Sequence, residues 1–350
     1  MTERIPVSIL GATGTVGQKF VRLLAAHPWF EVAAVAASSE SAGRQYQEAV
    51  RWREQTPLPP SVGAMIVREC APPLPSRLVF SALDAEIAGP IEQAFARAGA
   101  TVVTNTRTHR MDRDVPLLIP EVNSDHLALA ECQRASRGWK GAILANPNCS
   151  TAALALALAP LHRAFRIERL FVSTMQAVSG AGYPGVPSLD IVGNVIPHIA
   201  GEEEKIERES RKILGTLANG TVEPAEFALS VHANRVPVVD GHMMTVSVGF
   251  ADRVKVEDAA EAIRGFKAPS QVAGLPSSPT PPVELDSRID RPQPRLDLDR
   301  GDGMAVTVGR LRPCPILDLR LVVLGHNTVR GAAGQGVQIA ELVIADERRG

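Results

Sequence analysis

Four cysteines, Cys70, Cys132, Cys149 and Cys314, are spread along the 350 residues with no Cys-x-x-Cys pair. Neither a disulfide framework nor a zinc site is indicated, and a special cysteine here is a nucleophile or a buried thiol. Only Cys149 has a chemical setting. It stands in Asn146-Pro147-Asn148-Cys149-Ser150-Thr151, directly before an apolar helical stretch. Asn-Pro-Asn imposes a turn that presents the thiol. A cysteine at a helix N-terminus has its thiolate stabilised by the dipole and by free N–H groups. The pattern fits a nucleophile and equally a small residue in a turn. A nucleophile needs an acid–base partner. The best candidate is His242, which follows a turn at Asp240-Gly241 and precedes a strand. Arg235, just upstream, could clamp a carboxylate with two parallel hydrogen bonds. Taken alone, His242 also fits a structural turn histidine.

A second chemical pattern opens the chain. Gly11-Ala12-Thr13-Gly14-Thr15-Val16-Gly17 follows a short apolar run and precedes a helix. Small residues let a backbone approach a pyrophosphate, and the helix N-terminus offers unpaired donors to it. The spacing is G-x-x-G-x-x-G, and its position after a strand and before a helix is what makes it a nucleotide site. Choice of cofactor falls to Ser38-Ser39-Glu40-Ser41-Ala42-Gly43-Arg44. A carboxylate there favours a free ribose hydroxyl, whereas hydroxyl or basic residues favour a 2′-phosphate. This segment has both.

The elements that must hold these groups alternate. Val7–Leu10, Val32–Ala36, Leu78–Ala82 and Thr101–Thr104 read as strands, with helices over Gln18–Ala26 and near Ile91–Ala98. Such alternation implies a parallel, doubly wound sheet over about the first 150 residues. Farther on, Arg169–Ala177, Ala225–Val231, Met243–Phe250 and Leu317–Leu324 read as strands, and Ser150–Ala164 and Glu202–Leu214 as helices. Pro269–Pro294 reads as an ordered excursion or long loop, and Thr328–Ala345 as a closing helix entered through Gly331–Gly336. The fold class is therefore α/β, a Rossmann-type dinucleotide-binding domain followed by a mixed α/β domain.

Composition narrows the function. Net charge is −1 and aromatic residues are 4% of the chain, which argues against nucleic-acid and anionic-membrane partners. The longest apolar run, Ala152–Leu161, is too short to span a bilayer. The opening Met1-Thr2-Glu3-Arg4-Ile5-Pro6 has no apolar signal region, so a cytoplasmic protein is expected. No metal site is indicated.

Asn148-Cys149-Ser150-Thr151, the Arg235…His242 pair and the glycine-rich start together resemble the aspartate-semialdehyde dehydrogenase family, in its archaeal and fungal branch. Further matches follow in the family's order. They are Val115–Asn123, Gln176–Gly182, Asn194–Pro197, Gly201–Lys205, Arg291–Asp297 and Asn327–Gly334. The resemblance implies a dinucleotide-binding domain over 1–147 completed by 327–350, with a catalytic and dimerisation domain over 148–326. It implies Cys149 as nucleophile and His242 as acid–base catalyst, with Asn148 and Gln176 beside the thiol. Arg235 would take the substrate's α-carboxylate and Glu202 its ammonium, while Arg110 and Lys205 would hold phosphate as co-substrate. Gly11, Thr13, Gly14, Thr15, Val16, Ser38, Ser41, Ser179, Gly180 and Asn327 would contact NADP. Where relatives of this branch carry a basic residue after the second strand, this chain has Glu40. That points to NAD or dual use, or to Arg44 taking the phosphate contact. The implied reaction makes aspartate semialdehyde, a precursor of lysine, threonine and methionine, in a homodimer or homotetramer. Three other readings stay open: a malonyl-CoA or succinyl-CoA reductase with the same cysteine chemistry, a cysteine hydrolase, and a non-catalytic nucleotide-binding subunit.

Overall fold

The computed structural model describes residues 4–349, so the first three residues read above for a leader lie outside it. Six strands form the first sheet: β1 (Ile5–Leu10), β2 (Phe30–Ala37), β3 (Arg68–Glu69), β4 (Leu78–Ser81), β5 (Thr101–Thr104) and β6 (Ala142–Ala145). Their order is β3-β2-β1-β4-β5-β6, and every pairing is parallel. β4 and β6 are buried along their whole length, as strands covered on both faces must be. The first helix, Thr15–Leu24, begins three residues earlier than Gln18, because the glycine loop turns straight into it. β3 and β6 escape a reading by periodicity: one is two residues long, and the other, Ala-Ile-Leu-Ala, has no alternation.

The second sheet runs β10-β7-β11-β14-β13-β12 and mixes parallel with antiparallel pairs. Its strands are β7 (Ile167–Gln176), β10 (Ala228–Arg235), β11 (His242–Phe250), β12 (Val283–Asp286), β13 (Val306–Pro313) and β14 (Leu319–Gly325). A small hairpin of β8 (Thr216–Ala218) and β9 (Thr221–Glu223) precedes β10. β10 lies later than the Ala225–Val231 reading, so that its last residue is Arg235. The Pro-rich excursion is not all loop, since β12 pairs with β13 inside the sheet.

Between the sheets runs the helix Cys149–Phe165, with every residue from Ser150 to Leu161 buried. An apolar surface on all sides is what a helix enclosed by protein requires. Its Leu154, Leu156 and Leu158 share one core with Leu10, Val79 and Ile143 of the first sheet and Val172, Val246 and Val323 of the second. The C-terminal segment starts with a π-helical turn, Val329–Ala333, and continues as the helix Gly334–Glu347. Val337, Ile339 and Ala340 of that helix join the core of Val7, Phe20 and Phe80. Among the described residues no helix is long and apolar enough to cross a membrane.

Candidate active site

β6 delivers the chain into Asn146-Pro147-Asn148 at the junction of the two sheets. The Asn146 amide donates to Asn105 Oδ1 at 2.8 Å and to the Ala332 carbonyl at 2.7 Å. Asn148 is the N-cap of the cysteine helix: its Oδ1 accepts from the N–H of Ser150 (2.9 Å) and of Thr151 (3.1 Å). This is the expected chemistry of an asparagine cap. It also removes those two N–H groups from any oxyanion site, contrary to the expectation that the turn after Cys149 leaves them free. Asn148 Nδ2 donates to Glu202 Oε1 at 2.8 Å, so the side chain is committed to structure at both ends.

Cys149 is only half-presented by this turn. Gly331 of the π-helical turn lies against it so closely that a Cβ on Gly331 would stand 2.6 Å from the Cys149 Cβ. Burial, joined by the Glu202 carboxylate, pushes the Cys149 thiol up to about 12, against the pull of Arg110, Lys205 and Arg235. In the ligand-free protein the helix N-terminus therefore does not leave a thiolate.

One helix, Glu202–Ile213, supplies most of the surrounding charge. Glu202, Lys205, Glu209 and Lys212 recur at helical spacing and form a single stripe turned inward. Glu202 is 4% exposed and bonded to Lys205 Nζ at 2.5 Å. Burial would raise its carboxyl, but Lys205, Asn148 and Gln176 outweigh that and hold it below the usual range. Glu209, 2% exposed, accepts from Arg110 Nη1 at 3.1 Å on one oxygen and from the Asn148 N–H at 2.6 Å on the other. Lys212 Nζ donates to the carbonyls of Arg110, Asp112 and Val115, each at 2.8 Å. Burial lowers that ammonium to about 8. Glu209 and Lys212 were not indicated by the sequence, which singled out only Glu202 and Lys205 of this helix. The signal that could have found them is the stripe of ionisable residues continuing past Lys205 on one face.

Opposite this helix, Arg235 ends β10 and His242 begins β11. Arg235 Nη1 donates to the Ala177 carbonyl at 2.7 Å, and its backbone pairs with Ile196 of the Asn194–Pro197 segment. His242 is fully buried. Burial lowers its ring to about 3, so it is neutral. The Ala177 N–H donates to its Nδ1 at 3.1 Å, which leaves the proton of the neutral ring on Nε2. That Nε2 is buried with no partner. A Cβ on Gly180 would come within 3.0 Å of it, so the Val178–Ala181 turn lies directly over the ring. Thiol and imidazole share no hydrogen bond; both are set for a group placed between or beside them. Gln176 Nε2 reaches Glu202 Oε1 at 3.2 Å, and Asn327 bridges Ser179 Oγ and the Gly241 N–H, both at 2.8 Å.

These groups line one cleft of 970 Å³ that includes Thr15, Val16, Arg110, Asn148, Cys149, Gln176, Ser179, Gly180, Glu202, Lys205, Arg235 and Asn327. His242, Glu209 and Lys212 stand behind its wall. A second cavity of 500 Å³ extends from Gly11, Thr13 and Gly14 past Ser38 and Ser39 to Glu69 and Asp84. Gly11 has φ +70°, and a Cβ there would meet the Ala82 carbonyl oxygen at 2.4 Å, so only glycine fits this loop. No side chain caps the helix that follows. An open, uncapped helix N-terminus beside a glycine turn fits the pyrophosphate of a dinucleotide. The structure separates two residues from this cavity. Ser41 turns back, its N–H bonded to the Ser38 carbonyl at 2.9 Å, and Arg44 donates to the Glu48 carbonyl at 2.6 Å. Glu40 is exposed and does not line it; the carboxylate at the end of β2 is Glu69, brought there by β3 pairing Glu69 with Ala37. A residue so far along the chain gives no local signal.

Comparison with known proteins covers nearly the whole chain. The family model described as semialdehyde dehydrogenase, NAD binding domain, matches residues 6–130, and the one described as semialdehyde dehydrogenase, dimerisation domain, matches residues 158–330. The chain is 49% identical over 343 residues to the aspartate-semialdehyde dehydrogenase of Methanothermobacter thermautotrophicus, covering 97% of this chain and 99% of that one. It is 45% identical over 354 residues to that of Candida albicans, covering 96% and 97%. The crystal structure of the Candida albicans aspartate-semialdehyde dehydrogenase with NADP superposes with a TM-score of 0.91 at 42% identity, covering 99% of each chain.

Proposed function

The chain belongs to the aspartate-semialdehyde dehydrogenases, and from that premise we propose that it converts L-aspartyl 4-phosphate to L-aspartate 4-semialdehyde through a thioester on Cys149. The observation that carries this reading is the charge set around the thiol: one carboxylate, Glu202, and three cations, Arg110, Lys205 and Arg235, in one cleft. Aspartyl phosphate presents the complement, an ammonium for Glu202, an α-carboxylate for Arg235 and a phosphate for Arg110 and Lys205. An acyl-CoA substrate of the malonyl type offers nothing to Glu202, and a cysteine hydrolase has no use for the glycine loop. The product is an intermediate of amino-acid biosynthesis.

Docking of the substrate ammonium on Glu202 offsets the one charge that adds to burial in raising the thiol, and the thiol proton leaves through the cleft to water. The Cys149 sulfur attacks the acyl carbon, the carbon–oxygen bond to phosphate breaks, and phosphate departs toward Arg110 and Lys205. When bound, reduced nicotinamide supplies the hydride for the thioester carbon. The tetrahedral oxygen then reforms a carbonyl as the carbon–sulfur bond breaks, returning Cys149 as a thiolate that regains its proton from water in the cleft. His242, neutral with its proton on Nε2, is placed to donate a hydrogen bond to the oxygen on which charge develops. With Nδ1 accepting from the Ala177 N–H, Nε2–H is the ring's one hydrogen-bond donor.

The glycine loop, Thr15 and Val16 would hold the dinucleotide backbone, and Ser38 with Ser39 would meet the adenosine ribose. We infer NADP as the cofactor, held by hydroxyl and N–H donors, with NAD accepted because Glu69 faces the same pocket. Inorganic phosphate is the co-substrate of the reverse reaction. We further infer a nucleotide-binding unit of 1–147 with 327–350, a catalytic unit of 148–326, and assembly into a homodimer or a homotetramer.

The test is reduction of NADP by aspartate semialdehyde, with parallel reactions lacking phosphate or carrying NAD. Phosphate-dependent turnover is the expected result. Cys149→Ala should abolish it and Cys149→Ser cripple it, a hydroxyl being a far poorer nucleophile at neutral pH. A Cys149→Ala protein that still turned over would refute the thioester.

A further inference from the structure

Arg110 comes from a loop after β5, and Cys149 from the turn after β6. Nothing in the chain joins them locally, yet one buried carboxylate touches both. Glu209 Oε1 accepts from Arg110 Nη1 at 3.1 Å, and Glu209 Oε2 accepts from the Asn148 N–H at 2.6 Å. Glu209 does not line the cleft, and it is 2% exposed. The rest of the Arg110 fork leaves little slack: Nη2 donates to the Asn105 carbonyl at 2.9 Å, and Nε is buried with no acceptor. On its other side, the Asn148 turn is fixed by its own cap to Ser150 and Thr151.

We propose that Glu209 is a positioning residue that sets the anion-binding guanidinium of Arg110 and the backbone turn of the nucleophile in one fixed relation. This rests on the reading that Arg110 binds phosphate. The carboxylate is suited to the task because both its oxygens accept and both partners donate. An amide offers one acceptor and one donor, so glutamine can satisfy Arg110 or Asn148 but not both, and its NH₂ opposes the other donor. Aspartate keeps the charge but is one methylene short of spanning the two. A guanidinium so enclosed is held by few acceptors, and losing a charged one costs it orientation. The phosphate transferred to or from the acyl carbon must lie at a set distance from Cys149, which is the relation this bridge fixes.

Steady-state kinetics of full-length Glu209→Gln and Glu209→Asp, in the phosphorylating direction, test this. The expected result is a KM for phosphate raised about tenfold or more, the scale of one lost charge-assisted hydrogen bond, with kcat lowered and the KM for aldehyde within about threefold of wild type. Ser210→Ala, next along the helix and removing a buried hydroxyl that has no partner, should leave the phosphate KM unchanged. Titration of inorganic phosphate into each protein by calorimetry should show the same weakening without turnover. A phosphate KM in both variants within about twofold of wild type would overturn the proposal, as would a fall in KM, which would make Glu209 a competitor of the anion. Loss of melting temperature with all kinetic constants in their original ratio would also overturn it. A wild-type protein that turns over without phosphate dependence, or binds none, would sink the phosphate reading itself; a phosphate-dependent wild type with unaffected variants would sink only the role of Glu209.

Discussion

Burial is the main force against ionisation of Cys149, and of the four charges around it Glu202 alone adds to that, against Arg110, Lys205 and Arg235. With the thiol at about 12 and His242 at about 3, both are neutral over the working range. The thiolate fraction then rises with pH and shows no inflection near the ordinary thiol value. Alkylation of the Cys149 peptide by iodoacetamide, followed by mass spectrometry, should climb about tenfold per pH unit from 6 to 9. Glu202→Gln should speed alkylation at pH 8 while lowering turnover; an unchanged alkylation rate would disconnect Glu202 from the thiol. Cofactor choice is also a matter of single residues. Glu69→Gln should raise the NADP-to-NAD ratio of kcat/KM about threefold or more, by removing a carboxylate from the 2′-phosphate position, whereas Glu40→Gln should leave it unchanged. The reverse outcome would return the role to Glu40.

The π-helical turn Val329–Ala333 does what a regular helix could not. It lays Gly331 on the Cys149 backbone and points the Ala332 carbonyl at Asn146. Such turns recur at functional sites because the extra residue re-aims the backbone. Arg330 anchors it: fully buried, it pairs with Glu121 at 2.7 and 3.1 Å and donates to the Met304 carbonyl at 2.6 Å and to Gln338 at 3.1 Å. Removing one partner strands the other charge in the interior. Arg330→Met or Glu121→Ala should therefore cost about 3–5 kcal/mol in urea denaturation, far above a surface pair. A loss below about 1 kcal/mol would show that the interior is wetter than the packing indicates.

The two sheets share one helix, and the cleft opens where that helix begins. The second sheet keeps one face for the cysteine helix and leaves the other uncovered, with Phe171 on β7 at 45% exposure beside His232 on β10. One exposed aromatic does not by itself mark an interface; the match of residues 158–330 to a dimerisation domain directs the test to this face. Phe171→Glu should shift the protein to monomer in analytical ultracentrifugation. If it remains the size of wild type, the interface lies elsewhere.

Much of this protein is written locally. The glycine loop, the Asn-Pro-Asn-Cys turn, the Asp-Gly-His turn and the strands β1, β2, β4 and β5 of the first sheet follow from steric and periodic rules that act over a few residues. So does the resemblance carried by the ordered motifs. Local rules did not indicate β3, β6, β8, β9, β12 or β13: the first five are two to four residues long and owe their pairing to neighbours, and β13 is broken by Gly309 and by a shift of register against β14. Nor did they indicate which carboxylate lines the second cavity, since Glu69 reaches it only through where β3 lands. Tertiary structure alone decided that the first N–H groups of the cysteine helix are spent on its cap, that Arg110 and Lys205 are already paired, and that Glu209 joins two segments 61 and 99 residues distant from it. The reason is physical: a buried charge takes its meaning from partners brought within hydrogen-bonding reach, and only folding chooses those partners.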